Sequence, residues 1–213
     1  MIRLNPLPAR PKLCVAISGG GTTLANLLKV IREGGLDAEI TGVIANRDGI
    51  AGIAIARDAG VPVTVLTKVE DTDDAAYSAA FFDAAAKADL VVMAGFLAFV
   101  EIPDRFTHRV VNIHPSLIPA FAGKGYYGLR VHRAVLERGC RVTGCTAHFV
   151  DNEYDHGPII DQRTVPVQPS DTPETLAARV FEAECELYPA AIRQVAAGGL
   201  LVDGRRVLPA SQS

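Results

Sequence analysis

Tryptophan is absent from the 213-residue chain, aromatic residues reach only 6%, and charged residues stop at 21%. Lys and Arg number 21 against 24 Asp and Glu, a net charge of −3. That balance offers no basic surplus for a phosphodiester backbone, so nucleic acid is not an expected partner. No run approaches the roughly 18 consecutive apolar residues that a membrane span requires, so a membrane is not expected either. The opening "MIRLNPLPARPK" has basic residues but no continuous apolar segment, and does not read as a signal peptide. Only four cysteines occur (Cys14, Cys140, Cys145 and Cys185), without the spacing of a disulfide framework. Cys14 lies inside an apolar run, where a free thiol behaves as a small hydrophobe. A reducing, cytoplasmic compartment is the expectation. Small anionic ligands stay open, because local donors hold them whatever the overall charge.

What the chain does have is apolar mass (49%) and 19 glycines, arranged in order. "LCVAI" (13–17) reads as a buried strand, "SGGGTT" as a turn, and "LANLLKVIREGG" as a helix that Gly34 and Gly35 stop. "EITGVIAN", "VPVTVL", "DLVVMAG" and "RVVNIHP" are further strands, separated by helical "GIAIARDAG" and "DDAAYSAAFFDAAAKA". Continuous apolar strands alternating with helices predict an α/β fold, Rossmann-like, with a mostly parallel twisted sheet and helices on both faces. After Pro115 comes a long Gly-, Pro- and aromatic-rich loop (116–128), then helical "LRVHRAVLERG". "VTGCTAHFV" and "PIIDQRTVPV" read as strands flanking the turn "DNEYDHG". The last long helix is expected to start at Thr172 as N-cap with Pro173 in its first turn, and to kink at Pro189. Neither an internal repeat nor a linker divides the chain, so one domain over 1–213 is expected, its core at about 13–207.

Three constellations could carry chemistry. In "ISGGGTTL" (17–24), glycines allow close approach of backbone N–H groups and a helix begins immediately after. That suits an anion such as phosphate, held by the amides of Gly21, Thr22 and Thr23. A ligand-free strand–helix turn is the alternative. No Gly-Lys-Ser/Thr follows, and Leu24 stands where a dinucleotide fingerprint needs its third glycine. In "VVNIHP", Asn112 and His114 lie two apart on a strand and share a face at its carboxyl end, where open α/β sheets bind ligands. An amide beside an imidazole suits a developing oxyanion; a purely structural pair remains the alternative. In "HFVDNEYDHGPII" (148–160), Asp151, Glu153 and Asp155 crowd a turn flanked by His148 and His156. This is either a solvated acidic turn or a carboxylate brought against an imidazole to favour its protonated form. Zinc held by these histidines with Cys140 and Cys145 is disfavoured, because C-x₄-C has no second pair; no metal is expected.

In this order, "ISGGGT", "LVVMAGF", "VVNIHPSLIPAF", "GCTAHFVDNEYDHGPII" and "DTPETLAARVFEAE" resemble the phosphoribosylglycinamide formyltransferase family, from about Leu13 to Val207. The resemblance implies formyl transfer from 10-formyltetrahydrofolate to the amine of 5′-phosphoribosylglycinamide, in de novo purine biosynthesis, by a monomer or homodimer. Carried over to this sequence, it implies Asn112, His114 and Asp155 as catalytic residues. Gly21, Thr22, Thr23 and Glu184 would hold the ribonucleotide. Leu97, Ala98, Phe99 and Val100, with Asn112, Asp151, Asn152, Glu153 and Tyr154, would form the folate pocket. Departures from the family pattern are Thr23 for Asn, Phe181 for Lys or Gln, Ala98 for Arg, and Asp74 near a usual basic position. They bear on phosphate and glutamate-tail binding, and Lys124 or Arg130 is expected to replace a lost cation.

Rivals are a formyltetrahydrofolate hydrolase, expected to read His-His where His114-Pro115 stands, and a methionyl-tRNA formyltransferase, expected to carry a basic RNA-binding extension. A nicotinamide-dependent dehydrogenase would rest on "ANRD" (45–48) alone. A non-catalytic small-molecule binding module is the remaining reading.

Overall fold

A computed structural model describes residues 1–68 and 73–209. In chain order its elements are β1 (Ile2–Arg3), β2 (Lys12–Ile17), α1 (Thr22–Arg32), β3 (Glu39–Ala45) and α2 (Ala51–Asp58). Next come β4 (Val63–Val65), α3 (Asp74–Ala84), β5 (Leu90–Met93), β6 (Val110–His114) and α4 (Leu129–Glu137). The chain closes with β7 (Val142–Phe149), β8 (Ile159–Pro166), α5 (Pro173–Ala197), β9 (Leu200–Asp203) and β10 (Arg206–Pro209).

The strands form one sheet in the order β1-β9-β10-β8-β7-β6-β5-β2-β3-β4. From β4 to β6 every pairing is parallel, as continuous apolar runs joined by helices require. Beyond β6 the sheet changes character: β6–β7, β7–β8, β9–β10 and β1–β9 pair antiparallel. β8 and β10 pair parallel again, so the sheet is mostly parallel, as expected, with its antiparallel pairings confined to the half beyond β6. Side chains alternate strictly along β2. Leu13, Val15 and Ile17 enter one core with Leu24, Leu27, Ile53, Val135 and Leu176, so α1, α2, α4 and α5 share that face. Cys14 and Ala16 enter the other, where α3 contributes Phe81 and Phe82. Both phenylalanines are nearly fully buried, each worth about 1.5–3 kcal/mol of apolar transfer.

Helix α5 carries the expected cap, with Thr172 accepting from the Thr175 amide and the Thr175 hydroxyl accepting from the Thr172 amide. α5 runs through Pro189 as one helix of 25 residues. Proline lacks an N–H, which frees the carbonyl of Cys185 four residues earlier. Asn26 of α1 fills the gap, its side-chain amide donating to that carbonyl at 3.0 Å. One position before Pro189, the buried Tyr188 hydroxyl reaches the carbonyls of Met93 and Val111 at 2.8 and 3.0 Å. This fixes α5 against the end of β5 and the start of β6, the two strands whose carboxyl ends carry the site.

Candidate active site

β6 ends in the polar pair that its sequence suggested. Val111 and Ile113 join the core beneath α5, while Asn112 and His114 lie on the other set of alternating positions. Antiparallel register then sets His148 of β7 directly opposite Asn112. His148 Nδ1–H donates to the Phe149 carbonyl at 2.7 Å, which leaves Nε2 as an acceptor. Asn112 Nδ2 donates to it at 3.2 Å. Burial lowers the His148 pKa, opposed in part by the Phe149 carbonyl and Asp155, so the ring is a neutral acceptor. The amide of Asn112 is thereby oriented, with a second N–H available on the cavity side.

His114 faces acceptors at both ring nitrogens. Nε2–H donates to the Phe121 carbonyl at 2.9 Å, and Nδ1 lies 3.5 Å from Asp155 Oδ2. A ring between a carbonyl and a carboxylate satisfies both only when both nitrogens carry protons. Asp155 is itself held: it accepts from the Gly123 amide at 2.9 Å and lies 3.8 Å from His148 Nε2. Its backbone has φ of 52°, a conformation costly for a non-glycine residue, here imposed by the turn that brings residues 151–157 beside β6. Gly157 permits that turn to close, since a Cβ there would meet the Phe149 carbonyl oxygen at 1.9 Å.

Asn112, His114 and Asp155 border a cavity of about 670 Å³, also lined by Thr22, Thr23, Leu97, Lys124, Tyr126, Tyr127, Leu129, His132, Tyr154, Phe181 and Glu184. Leu97, Tyr126, Tyr127, Leu129 and Tyr154 stand half-exposed around its mouth, the kind of apolar rim that a ligand covers. At one end, α1 begins with no side-chain cap and no acidic residue in its first turn, so its amides and dipole are free for an anion. Gly21 sets that start at φ 74°, and its Cα packs so tightly on α2 that a Cβ would meet Gly52 Cα at 2.5 Å. Thr22 and Thr23 line the cavity, whereas Gly21 is buried beneath it. Glu184 reaches the wall from α5, 9% exposed, and burial pushes its carboxyl up to about 7.

A smaller recess adjoins through Phe96, Asn112, Tyr154 and Asp155, walled by Ala98, Phe99, Val100, His148, Asp151 and Glu153. The proposed folate-contacting residues therefore gather here and at Leu97. Asn152 departs from them: its side chain accepts from the Ile102 amide at 2.7 Å and faces a separate groove. Among the described residues, no three His, Cys, Asp or Glu side chains are grouped to hold a metal ion. His156 instead pairs with Asp151 at 2.8 Å.

Sequence reading missed three participants. His148 was visible only as a flank of the acidic turn, because its partnership with Asn112 depends on strand register. Ser18 ties the glycine loop to the opposite wall, its hydroxyl accepting from the Leu97 amide at 2.9 Å. His132 of α4 is buried on the cavity wall, and burial beside His114 lowers its pKa to about 4. Its polar side chain amid the apolar stripe of α4 was the available signal.

The formyl transferase family model matches residues 11–192. A chloroplastic phosphoribosylglycinamide formyltransferase of Vigna unguiculata is 41% identical over 191 residues, covering 88% of this chain and 61% of that protein. The protein of the same name from Arabidopsis thaliana is 41% identical over 186 residues, covering 85% and 64%. This chain thus spans somewhat under two thirds of the length of both. The crystal structure of glycinamide ribonucleotide transformylase 1 from Symbiobacterium toebii superposes with a TM-score of 0.84 at 39% identity, covering 93% of each chain. With a family match running through every element of the site, this chain belongs to the formyl transferase family.

Proposed function

We propose that this chain is an enzyme that transfers the formyl group of 10-formyltetrahydrofolate to the amine of 5′-phosphoribosylglycinamide. The products are formylglycinamide ribonucleotide and tetrahydrofolate, a step of de novo purine biosynthesis. The carrying observation is the linked cluster Asn112–His148–Asp155–His114, three of whose members line a cavity that the residues of an uncapped helix start also line. The names of the similar proteins support formyl transfer to this ribonucleotide.

In this reading the amine nitrogen attacks the formyl carbon, and the carbonyl electron pair moves to oxygen. The oxyanion is stabilised by the free N–H of Asn112 and by the His114 ring. Nδ1, held to Asp155 only at 3.5 Å, is the nitrogen able to turn toward it. Asp155 takes part in moving the proton from the attacking amine toward N10 of the folate as the C–N10 bond breaks. Each such oxyanion donor is worth about 10²–10³ in kcat. The Gly21–Thr22–Thr23 loop holds the phosphate and Glu184 the ribonucleotide hydroxyls. Leu97, Ala98, Phe99 and Val100, with Asp151, Glu153 and Tyr154, enclose the pterin, and Asn152 acts by holding the wall at Ile102.

The chain works as one domain, as a monomer or homodimer. Free thiols at all four cysteines favour a reducing compartment, which we take to be the cytoplasm. No described helix is long and apolar enough to cross a membrane. Steady-state turnover of ribonucleotide and 10-formyl folate tests the proposal, with Asp155→Asn alongside. Folate release that needs the amine and falls by orders of magnitude in the variant supports it. Equal release without the amine would make the chain a hydrolase.

A further inference from the structure

We propose that Lys124, on the strap between β6 and α4, supplies the counter-charge to the phosphate of the amine substrate. This rests on the ribonucleotide reading above and assigns a specificity-determining residue within it. A phosphate dianion entering this cavity meets two carboxyl groups, Asp155 and Glu184, on the same wall system. The α1 N-terminus offers roughly half an elementary charge in return. Among the described residues lining the cavity, Lys124 is the one Lys or Arg. The other cation of the segment, Arg130, is not on the wall; its guanidinium stacks over the Tyr127 ring at 4.7 Å.

The strap is built to present that ammonium. Its first part is fastened: the Thr146 hydroxyl donates to the Ser116 carbonyl at 2.7 Å and accepts from the Ile118 amide at 3.1 Å, and Gln162 donates to the Ile118 carbonyl at 3.1 Å. From Gly123 onward the chain turns outward at φ 90°, a conformation that favours glycine, and Lys124 is exposed. The Gly123 amide meanwhile holds Asp155 at 2.9 Å. Lys124, the next residue, lines the same cavity as Thr22 and Thr23 at the start of α1, and it makes no hydrogen bond or ion pair with another described residue. An unpaired cation on a cavity that already carries carboxylates is a recognition element for an added anion.

The test compares Lys124→Met and Lys124→Arg with wild type, using the ribonucleotide and its dephosphorylated riboside as amines. The expected result for Lys124→Met is a KM for the ribonucleotide raised roughly ten- to a hundredfold. The kcat and the folate KM should stay within about twofold, with most of the loss restored by Lys124→Arg. With the riboside, wild type and Lys124→Met should be equal. An unchanged ribonucleotide KM, or an equal loss with the riboside, overturns the assignment. Calorimetric titration with ribose 5-phosphate reads Lys124 independently of turnover. Binding lost in Lys124→Met, without any ribonucleotide turnover in wild type, would overturn the proposed function and keep the phosphate contact. Binding unchanged in Lys124→Met would overturn the contact itself.

Discussion

Glu184 should make the unliganded protein less stable as pH rises, and removing its charge should remove that dependence. The carboxyl is buried on α5, and burial alone raises its pKa from 4.5 to about 7. The unfolded chain releases this proton first, so the sign is fixed: the stability present below the unfolded value is lost as pH climbs from about 4.5 to 7. At 1.36 kcal/mol per pKa unit the full deficit is about 3 kcal/mol, of which roughly 1 is present at pH 5 and nearly all at pH 8. Glu184→Gln keeps the shape and cannot ionise. Urea unfolding of both proteins at pH 5 and pH 8 should therefore show the variant gaining on wild type by roughly 2 kcal/mol between the two conditions. Comparing the two pH values cancels whatever the buried amide costs on its own. A difference between variant and wild type that is the same at both pH values would refute the reasoning. Under the proposed function the same variant should also bind the ribonucleotide more weakly, the outcome expected where a carboxylate is kept at a destabilising position for binding.

Further outcomes follow from the same geometry. Asp155→Asn keeps the size but not the charge beside His114, and should lower kcat by at least about a hundredfold while leaving the folate Kd close to wild type. His148→Ala removes the acceptor that orients Asn112 at 3.2 Å, and should lower kcat about ten- to a hundredfold in a steady-state assay, with little change in either KM. Gly21→Ala forces a Cβ to 2.5 Å from Gly52 Cα at a positive φ. It should cost about 2 kcal/mol or more, read as a fall in Tm of roughly 4–8 °C, and should weaken ribose 5-phosphate binding.

Local chemistry was legible in the sequence wherever one segment determines its own geometry. The two-residue spacing of Asn112 and His114 places both on one face of β6 because strands have period two. The Thr172–Pro173 start of α5 follows from capping alone. Cross-strand relations were not legible. His148 meets Asn112 only because β7 runs antiparallel to β6, although a helix joins them as it would join parallel strands. The uninterrupted α5 depends on Asn26, 159 residues from the carbonyl it satisfies. One element was overlooked rather than hidden. Asp203-Gly204 between two apolar runs is a hairpin signal, and β9 and β10 pair across the two-residue loop Gly204-Arg205 that follows Asp203.

The most direct test follows the formyl carbon itself. Wild-type protein is mixed with formyl-labelled 10-formyltetrahydrofolate and an excess of phosphoribosylglycinamide, and the label is traced by mass spectrometry. One label in the ribonucleotide amide for each tetrahydrofolate formed is the predicted result. Label recovered as formate, at the same rate with and without the amine, would contradict it.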